Sequence, residues 1–314
     1  MITAESFPTP QLALRSDNPA EERRVRAFAG RQAEAAEHLR AWLAVEWPRC
    51  TGARAKSLLQ HAHSELVEWR YQEAAAAPGR LGRGLPLDVS RFVTSIREGG
   101  INLDRLGDCG RMRVGATWNP ASRRFEGGTP TPASETLAAY GRAALARFER
   151  EDDDVLGDVL HNIVRLPDGQ LKTGNRLLRG AAATRVADEL VTRIAARGGD
   201  TSQVETGGEL LYVAGANPDD SDELWAAALR MLAGALELDG VGRLRAWQAA
   251  RYLAYQAPQT KKGSDAVTRV LLVGVGAVLF ARPPVLEPDV DLRCMVLGQA
   301  AATRMPADRS VFVR

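Results

Sequence analysis

The amino-acid sequence predicts a mainly α fold, a multi-helix protein that contains a few short strands. Long stretches carry apolar residues near a spacing of 3.6, which is the periodicity of amphipathic helices. Pairs of Gly and Pro residues end several of these stretches, as at Pro78-Gly79 and Gly99-Gly100. The composition is 45% apolar and 25% charged, which is typical of a globular protein with a core.

The first 133 residues are expected to form a flexible tail followed by a helical region. Residues 1–20 contain Pro, Ser and Asn and predict the tail. Gly, Asn and Pro are frequent at 101–133, so this segment predicts a seam with short strands, for example within 112–118. The predicted N-terminal helical region is 21–133, with helices at 21–46, 54–77 and 88–98.

Residues 134–314 are predicted to form a C-terminal helical domain. Ser134 is a favourable N-cap for its first helix, and Pro283-Pro284 ends its most apolar helix. Residues 175–187 are compatible with a strand pair or with a helix start, and residues 210–213 predict a strand. The predicted helices lie at 134–150, 155–164, 187–197, 217–238, 241–255, 266–280 and 291–303.

Charge, apolar runs and cysteines exclude several classes of protein. A net charge of +2 does not indicate a broad nucleic-acid surface. The longest apolar run, 270–280, is shorter than the roughly 18 to 20 residues that a membrane span needs. The three cysteines suggest neither disulfides nor a metal site, and Cys294 is expected in the core. Together with an N-terminus unlike a signal peptide, these features predict a cytoplasmic protein with no membrane partner.

The most informative feature for function is a pair of lysines between two predicted helices. The chain has four lysines and 37 arginines, and two of the lysines are adjacent within residues 259–265. A Gly-Ser-Asp run then opens the next helix, where unpaired backbone N–H groups and the helix dipole favour an anion, most naturally phosphate. The alternative is a capped helix start with solvated lysines. The predicted phosphate ligands are Lys261, Lys262, Gly263, Ser264 and Arg269, which lies one turn into the helix.

Three other clusters carry weaker functional signals. His61 and His63 are two residues apart in a predicted helix, so they face different directions and are expected to be ordinary packing or surface side chains. The acidic run 151–154 with Asp158 resembles aspartate-rich Mg²⁺ sites, and a solvated acidic helix start is the alternative. His161 is expected to be a structural residue or a proton-transfer group. The motifs of P-loop enzymes, dinucleotide binders, α/β-hydrolases and H-E-x-x-H metalloproteases are absent from the sequence.

The order of elements at 209–282 resembles the core of the Fic/Doc (Fido) superfamily. In that family a helix leads into the loop His-Pro-Phe-x-[Asp/Glu]-Gly-Asn-Gly-Arg-x-x-Arg, which opens a second, buried helix. The matching residues are Pro258, Gly263, Ser264 in place of the Asn, and Arg269. Gly174-Asn175-Arg176 lies where such proteins often open a substrate-docking flap, so the resemblance assigns Arg176 to the donor site. It covers about 155–282 and implies a Fido-like helical core in the C-terminal half.

The family's catalytic base and metal ligand are replaced in this sequence. Ala257 stands at the position of the catalytic His, and Lys262 or Lys261 stands at the position of the carboxylate that holds Mg²⁺ on the nucleotide phosphates. The Phe and the first Arg are missing, and one residue is inserted. Standard AMP transfer uses both replaced groups, so we expect the lysine charges to substitute for the metal and Asp265 to be the nearest candidate base.

Two functional classes follow from the sequence. One is a transferase that uses a nucleotide or another phosphate-containing donor, with Asp265 or His161 in proton transfer. No metal ligand is assigned, and Mg²⁺ is expected only as the companion of a nucleotide. The other class is a catalytically inactive helical binding protein, such as an effector, a toxin–antitoxin component or an assembly factor. The expected partner is a phosphate-bearing small molecule, and a protein target is a second expectation.

Overall fold

A computed structural model describes residues 1–77, 88–150 and 155–312 of the chain. Within these ranges the protein is mainly α with a few short antiparallel strands, which confirms the predicted fold class. The α-helices are α1 (Pro19–Glu46), α2 (Gly52–Ala76), α3 (Ile96–Gly99), α4 (Pro132–Phe148), α5 (Gly180–Ala195), α6 (Pro218–Gly234), α7 (Gly240–Gln256), α8 (Ser264–Leu279), α9 (Val290–Val296) and α10 (Gln299–Ala302). None of the helices in these ranges has the length and hydropathy needed to span a bilayer.

The largest core forms around α8, whose residues 270–279 are all apolar and mostly buried. A helix of this composition is expected at the centre of a protein, because it has no polar face to leave in water. The apolar faces of α1, α2, α6 and α7 pack in the same core. The predicted regions 21–133 and 134–314 therefore share one core, and α1 packs directly on α8.

A five-stranded antiparallel sheet lies beside this helical core, and its strand order is β1-β7-β6-β5-β4. The strands are β1 (Leu103–Leu106), β4 (Val155–Leu156), β5 (Val159–Arg165), β6 (Leu171–Leu178) and β7 (Leu211–Ala214). One face, which includes Leu160 and Leu177, packs against α4 and α9. The other face, which includes Leu178 and Tyr212, packs against α5. Strand β1 is an edge of the sheet. A separate hairpin is formed by β2 (Thr117–Asn119) and β3 (Arg124–Glu126).

The sequence-based assignment of secondary structure was wrong in two segments of the C-terminal half. Residues 155–164 form strands rather than the predicted helix, and burial alternates along β5 as expected for a strand with one face in the core. The single helix predicted at 291–303 is divided into α9 and α10 by Gly298, whose φ of 79° cannot continue a helix. The segment 175–187 contains the end of β6 and the start of α5, and the strand predicted at 210–213 is confirmed as β7.

The predicted flexible tail is instead packed against the protein. Ile2, Phe7 and Leu14 are buried, and short 3-10 helices lie between them. The backbone N–H of Ile2 donates to Glu37 on α1 at 3.1 Å. The prediction failed because it relied on the turn-like composition of residues 1–20 and gave no weight to these three widely spaced apolar residues. The start of α4 also differs: Thr131 is the N-cap, and Ser134 completes a reciprocal capping box from within the helix.

Candidate functional site

The lysine loop, residues 259–265, lines a cavity with a volume of about 880 Å³. The cavity lies at the edge of the sheet, because its walls include residues of α5 on one face and of α4 and α9 on the other. Strand β1 and the loop between α7 and α8 complete the wall. The loop that the sequence analysis proposed as an anion site thus lies on a concave surface. The loop residues at the cavity are Lys261, Lys262, Gly263, Ser264 and Asp265.

The lysine loop is held in place by backbone pairing with the segment before α3. The N–H of Lys261 donates to Thr94 O at 3.0 Å, and the N–H of Ile96 donates to Gln259 O at 3.2 Å. Gly263 has a φ of 81°, a left-handed conformation that suits glycine. The hydroxyl of Ser264 is 3.0 Å from the carbonyl of Thr260, so it closes the turn as well as facing the cavity. These contacts fix the backbone conformation of the lysine loop.

The two lysines differ in their surroundings. Lys261 Nζ donates to the carbonyls of Gly100 and Ile101, at 2.5 and 2.9 Å. Burial, with help from nearby guanidinium groups, lowers the pKa of Lys261 to about 8. Lys262 is exposed, and its Nζ lies 5.6 Å from the centre of the Phe92 ring. The Lys261 side chain is therefore anchored within the protein, whereas the Lys262 side chain is exposed to solvent.

The cavity carries a strong excess of positive charge. Eight cationic side chains line it, against the four carboxylates of Glu98, Asp104, Asp265 and Asp291. Asp104 is open to the cavity yet surrounded by protein, and burial there raises the pKa of its carboxyl, while Lys261 opposes the rise. Besides the two lysines, the cations are Arg15, Arg91, Arg105, Arg111, Arg193 and Arg197. Sequence reasoning missed all six arginines, since nothing distinguishes them among 37 arginines until the fold brings them together.

A second group of ionisable side chains lies where α7, α8 and α9 meet the cavity. Arg269 Nε donates to Asp265 Oδ1 at 2.8 Å, and the Tyr255 hydroxyl donates to the same oxygen at 2.9 Å. Asp291 Oδ1 is 3.9 Å from Arg269 Nη2, and among the described residues it has no hydrogen-bond partner. Burial and the neighbouring Asp265 raise the pKa of Asp291, whereas Arg269 opposes the rise. Sequence reasoning did not single out Asp291 or Tyr255.

The predicted role of Arg269 as a phosphate ligand does not fit its position. Its side chain is only 1% exposed, and it is absent from the cavity wall. Its Nη atoms donate to the carbonyls of Glu287 and Pro288, at 3.1 and 3.2 Å. Arg269 therefore holds Asp265 in place and ties α8 to the segment that precedes α9.

His161 and Arg176 lie next to each other in the sheet and do not lie at the cavity beside the lysine loop. They are paired residues on β5 and β6, and neither lines the cavity. The structure therefore separates the predicted catalytic His161 and donor-binding Arg176 from the other candidate residues. Asn175, next to Arg176, does reach the cavity wall.

The segment 174–176 belongs to a buried polar network that fixes α9. Gln256 accepts a hydrogen bond from the backbone N–H of Asn175 at 3.0 Å and donates to Cys294 O at 2.6 Å. Asn175 itself donates to Met295 O at 2.7 Å. A Cβ at Gly174 would lie 2.3 Å from Gln256 Oε1, so glycine permits this close approach. The flap-like motif in the sequence thus positions the helix that carries Asp291.

The remaining sequence candidates lie elsewhere. The acidic run 151–154 is outside the described residues, and Asp158 accepts a hydrogen bond from the N–H of Ala181 at the start of α5. His63 is buried against Trp225, and burial lowers its pKa to about 4, as expected of a packing residue. Cys294 is fully buried, in agreement with the predicted core position. No set of three or more His, Cys, Asp or Glu side chains in the described ranges is placed to hold a metal ion.

No protein-family model and no curated protein matches this chain. The resemblance to Fic/Doc proteins thus stays a prediction. In the structure, α7, the lysine loop and α8 follow one another along the chain.

Proposed function

We propose that the protein binds a phosphate-containing small molecule in the cavity beside the lysine loop. The observation that carries this proposal is the excess of cationic side chains on one concave surface, eight against four carboxylates. Guanidinium groups offer paired N–H donors that match phosphate oxygens, and the start of α8 adds the positive end of a helix dipole. A volume of about 880 Å³ lies in the range of pockets that hold nucleotide-sized ligands.

The cations come from several separate elements around the cavity, which favours a ligand with more than one anionic group. Arg193 lies on α5 and Arg197 just after it, and Lys261 and Lys262 come from the α7–α8 loop. Arg111 lies in a short 3-10 helix that follows β1. A single phosphate would contact only a few of these groups, whereas a diphosphate or triphosphate could contact several at once. We therefore favour a nucleotide or another organic polyphosphate as the ligand.

Group transfer from this phosphate-containing donor is the reaction that we propose. Asp265 is 35% exposed and Asp291 14% exposed, and both face the cavity that holds the cations. A carboxylate at this position can accept a proton from an attacking hydroxyl while the cations stabilise charge on the donor phosphates. Arg269 and Tyr255 fix the orientation of Asp265, and the raised pKa of Asp291 favours proton uptake by its carboxylate. Mg²⁺ that enters with a nucleotide would add positive charge to the phosphates.

A second candidate is a catalytically inactive protein that binds the same class of ligand. The observation that favours it is the engagement of the loop's polar groups within the protein. Both oxygens of Asp265 accept from Arg269, and the hydroxyl of Ser264 is bonded to Thr260. Such a loop is sufficient for binding, because binding requires no proton transfer.

A thermal-shift screen tests the proposed ligand class. The panel would contain ATP, GTP, UTP, nucleotide sugars and inorganic phosphate, each with and without Mg²⁺. A ligand at about 100 times its Kd adds about 2.7 kcal/mol of stability, which raises Tm by several degrees. We expect a shift with one class of phosphate compound, reduced in Lys262→Ala and retained in Lys56→Ala, a lysine on α2 outside the cavity wall.

The same experiment separates the two candidates when product formation is also measured. Slow conversion of the stabilising compound, followed by chromatography and lost in Asp291→Asn, would support a transferase. Stabilisation without conversion would support the binding protein. The absence of any shift across the panel would contradict both.

A further inference from the structure

Lys261 is held in a geometry that suits a neutral amine as well as an ammonium group. Its Nζ donates to two carbonyls, Gly100 O at 2.5 Å and Ile101 O at 2.9 Å. A neutral amine has two N–H donors and one lone pair, so both donors are satisfied and the lone pair remains for attack on an electrophile. Since Lys261 lines the cavity, an electrophile bound there can approach it.

Cationic side chains surround this amine on the cavity wall. Arg193 Nη1 donates to Ile101 O at 3.3 Å, the same carbonyl that Lys261 contacts. Burial disfavours a positive charge on Lys261, and Arg193, Arg91 and Arg197 add to this effect. Its pKa is lowered to about 8, with Asp104 in opposition. A lysine among cationic groups in a partly buried site is the environment that activates amine nucleophiles.

We propose that Lys261 forms an imine with an organic phosphate that carries an aldehyde or ketone group. The inference rests on the proposed anion site, because the arginines that surround Lys261 would hold the phosphate while the carbonyl group meets the amine. The same cations therefore provide both the affinity for the ligand and the activation of the nucleophile. Imine formation would narrow the expected ligands from phosphate compounds in general to phosphate compounds that carry an aldehyde or ketone group.

The reaction requires no oxidant and no metal. The lone pair of the amine forms a C–N bond to the carbonyl carbon, and the carbonyl oxygen takes up a proton that the nitrogen loses. The resulting hydroxyl leaves as water after it accepts a second proton, and the nitrogen releases its remaining proton as the C=N bond forms. Asp104 lines the same cavity, and its carboxyl group can donate that second proton and accept the proton that the nitrogen releases.

The small number of lysines makes the proposal easy to test. Pyridoxal 5′-phosphate, an aldehyde with a phosphate group, is the probe, and pyridoxal is the matched compound without phosphate. Borohydride reduction fixes any imine, and peptide mass spectrometry assigns it to one of four lysines. Lys262 is the adjacent exposed control, and Lys56 and Lys172 are the distant ones. Lys172 is paired with Glu223.

We expect the probe to modify Lys261 at a concentration at least ten times lower than it requires for the other three lysines. Pyridoxal should lack this selectivity, and pyrophosphate should protect Lys261. Lys261→Arg, which keeps the charge, should lose the selective modification and retain the Tm of the parent protein within a few degrees.

Two results would overturn the proposal. One is equal modification of Lys261 and Lys262, and the other is equal reaction of Lys261 with both aldehydes. If pyrophosphate still stabilises the protein in either case, the imine is excluded and the anion site is kept. If pyrophosphate also fails to bind, the proposed function fails with it.

Discussion

Arg269 and Asp265 lie one turn apart on α8 and form a two-point contact, in which Arg269 Nε is 2.8 Å and 3.0 Å from the two carboxylate oxygens. The guanidinium is buried, whereas the carboxylate is partly open to the cavity. The remaining nitrogens of Arg269 bind the carbonyls of Glu287 and Pro288. The contact therefore connects the wall of the candidate site to the buried framework of the protein.

Removal of Arg269 should destabilise the whole protein. Arg269→Ala leaves Asp265, Asp291 and two carbonyls without their cation, so we expect a loss of about 3 to 5 kcal/mol in the free energy of unfolding, measured in urea. The matched control is Arg293→Ala, which breaks a partly exposed pair with Asp289 at the same i,i+4 spacing. That loss should be at most about 1 kcal/mol. Equal, small losses in both variants would contradict the structural role of Arg269.

The stability of the protein should depend on pH through Asp291. The pKa of this carboxyl is raised in the folded state, so the folded protein binds its proton more tightly than the unfolded chain does. Its contribution to stability is therefore fully present below the ordinary Asp pKa of about 4 and is lost as pH rises through the raised value. Urea denaturation of Asp291→Asn across this range should show a flatter profile than the parent protein. An unchanged profile would show that Asp291 does not titrate in this way.

The sequence predicted the lysine loop because its signals are local. The predicted helices 241–255 and 266–280 agree closely with α7 and α8, and the glycine and serine between them mark the turn. The strands at 155–164 were missed because a short apolar run has no length or period that separates a strand from a helix. The cationic wall could not be predicted, since Arg91, Arg111 and Arg193 meet only through long-range packing. Asp291 could not be predicted as a site residue either, because it reaches the cavity only through the hydrogen-bond network around Asn175, which positions α9.

Gly263 should be required for the shape of the lysine loop. Its φ is 81°, and a Cβ there would lie 2.6 Å from Phe92 Cδ1. We expect Gly263→Ala to cost about 1 to 3 kcal/mol in unfolding free energy and to weaken phosphate binding. Gly30→Ala is the control, because Gly30 lies within α1 with open space around it. That substitution should be neutral or stabilise the helix by about 0.5 to 1 kcal/mol. A Gly263→Ala variant as stable as its parent would contradict the strained geometry.

Anion binding should weaken as pH rises through the pKa of Lys261. The amine is charged below about 8 and neutral above it, so the cavity loses one positive charge over this range. A bound anion favours the ammonium form, which moves the midpoint of the change to a higher pH. ATP is a suitable ligand because its phosphates are ionised throughout pH 7 to 9. Calorimetric titration should show this loss in the parent protein and its absence in Lys261→Arg; identical pH profiles would argue against a contribution from Lys261.

The most direct test of the proposed phosphate site is an equilibrium titration of pyrophosphate into the Arg193→Ala/Arg197→Ala variant. Both side chains line the cavity, and hydrogen bonds to charged groups contribute about 1.5 to 3 kcal/mol each. We predict saturable binding to the parent protein and at least a ten-fold weaker affinity in the double variant. Arg185 is an exposed residue on α5 outside the cavity wall, and the Arg185→Ala variant should bind pyrophosphate as the parent does. Equal affinity in all three proteins, or no binding to the parent, would contradict the phosphate site.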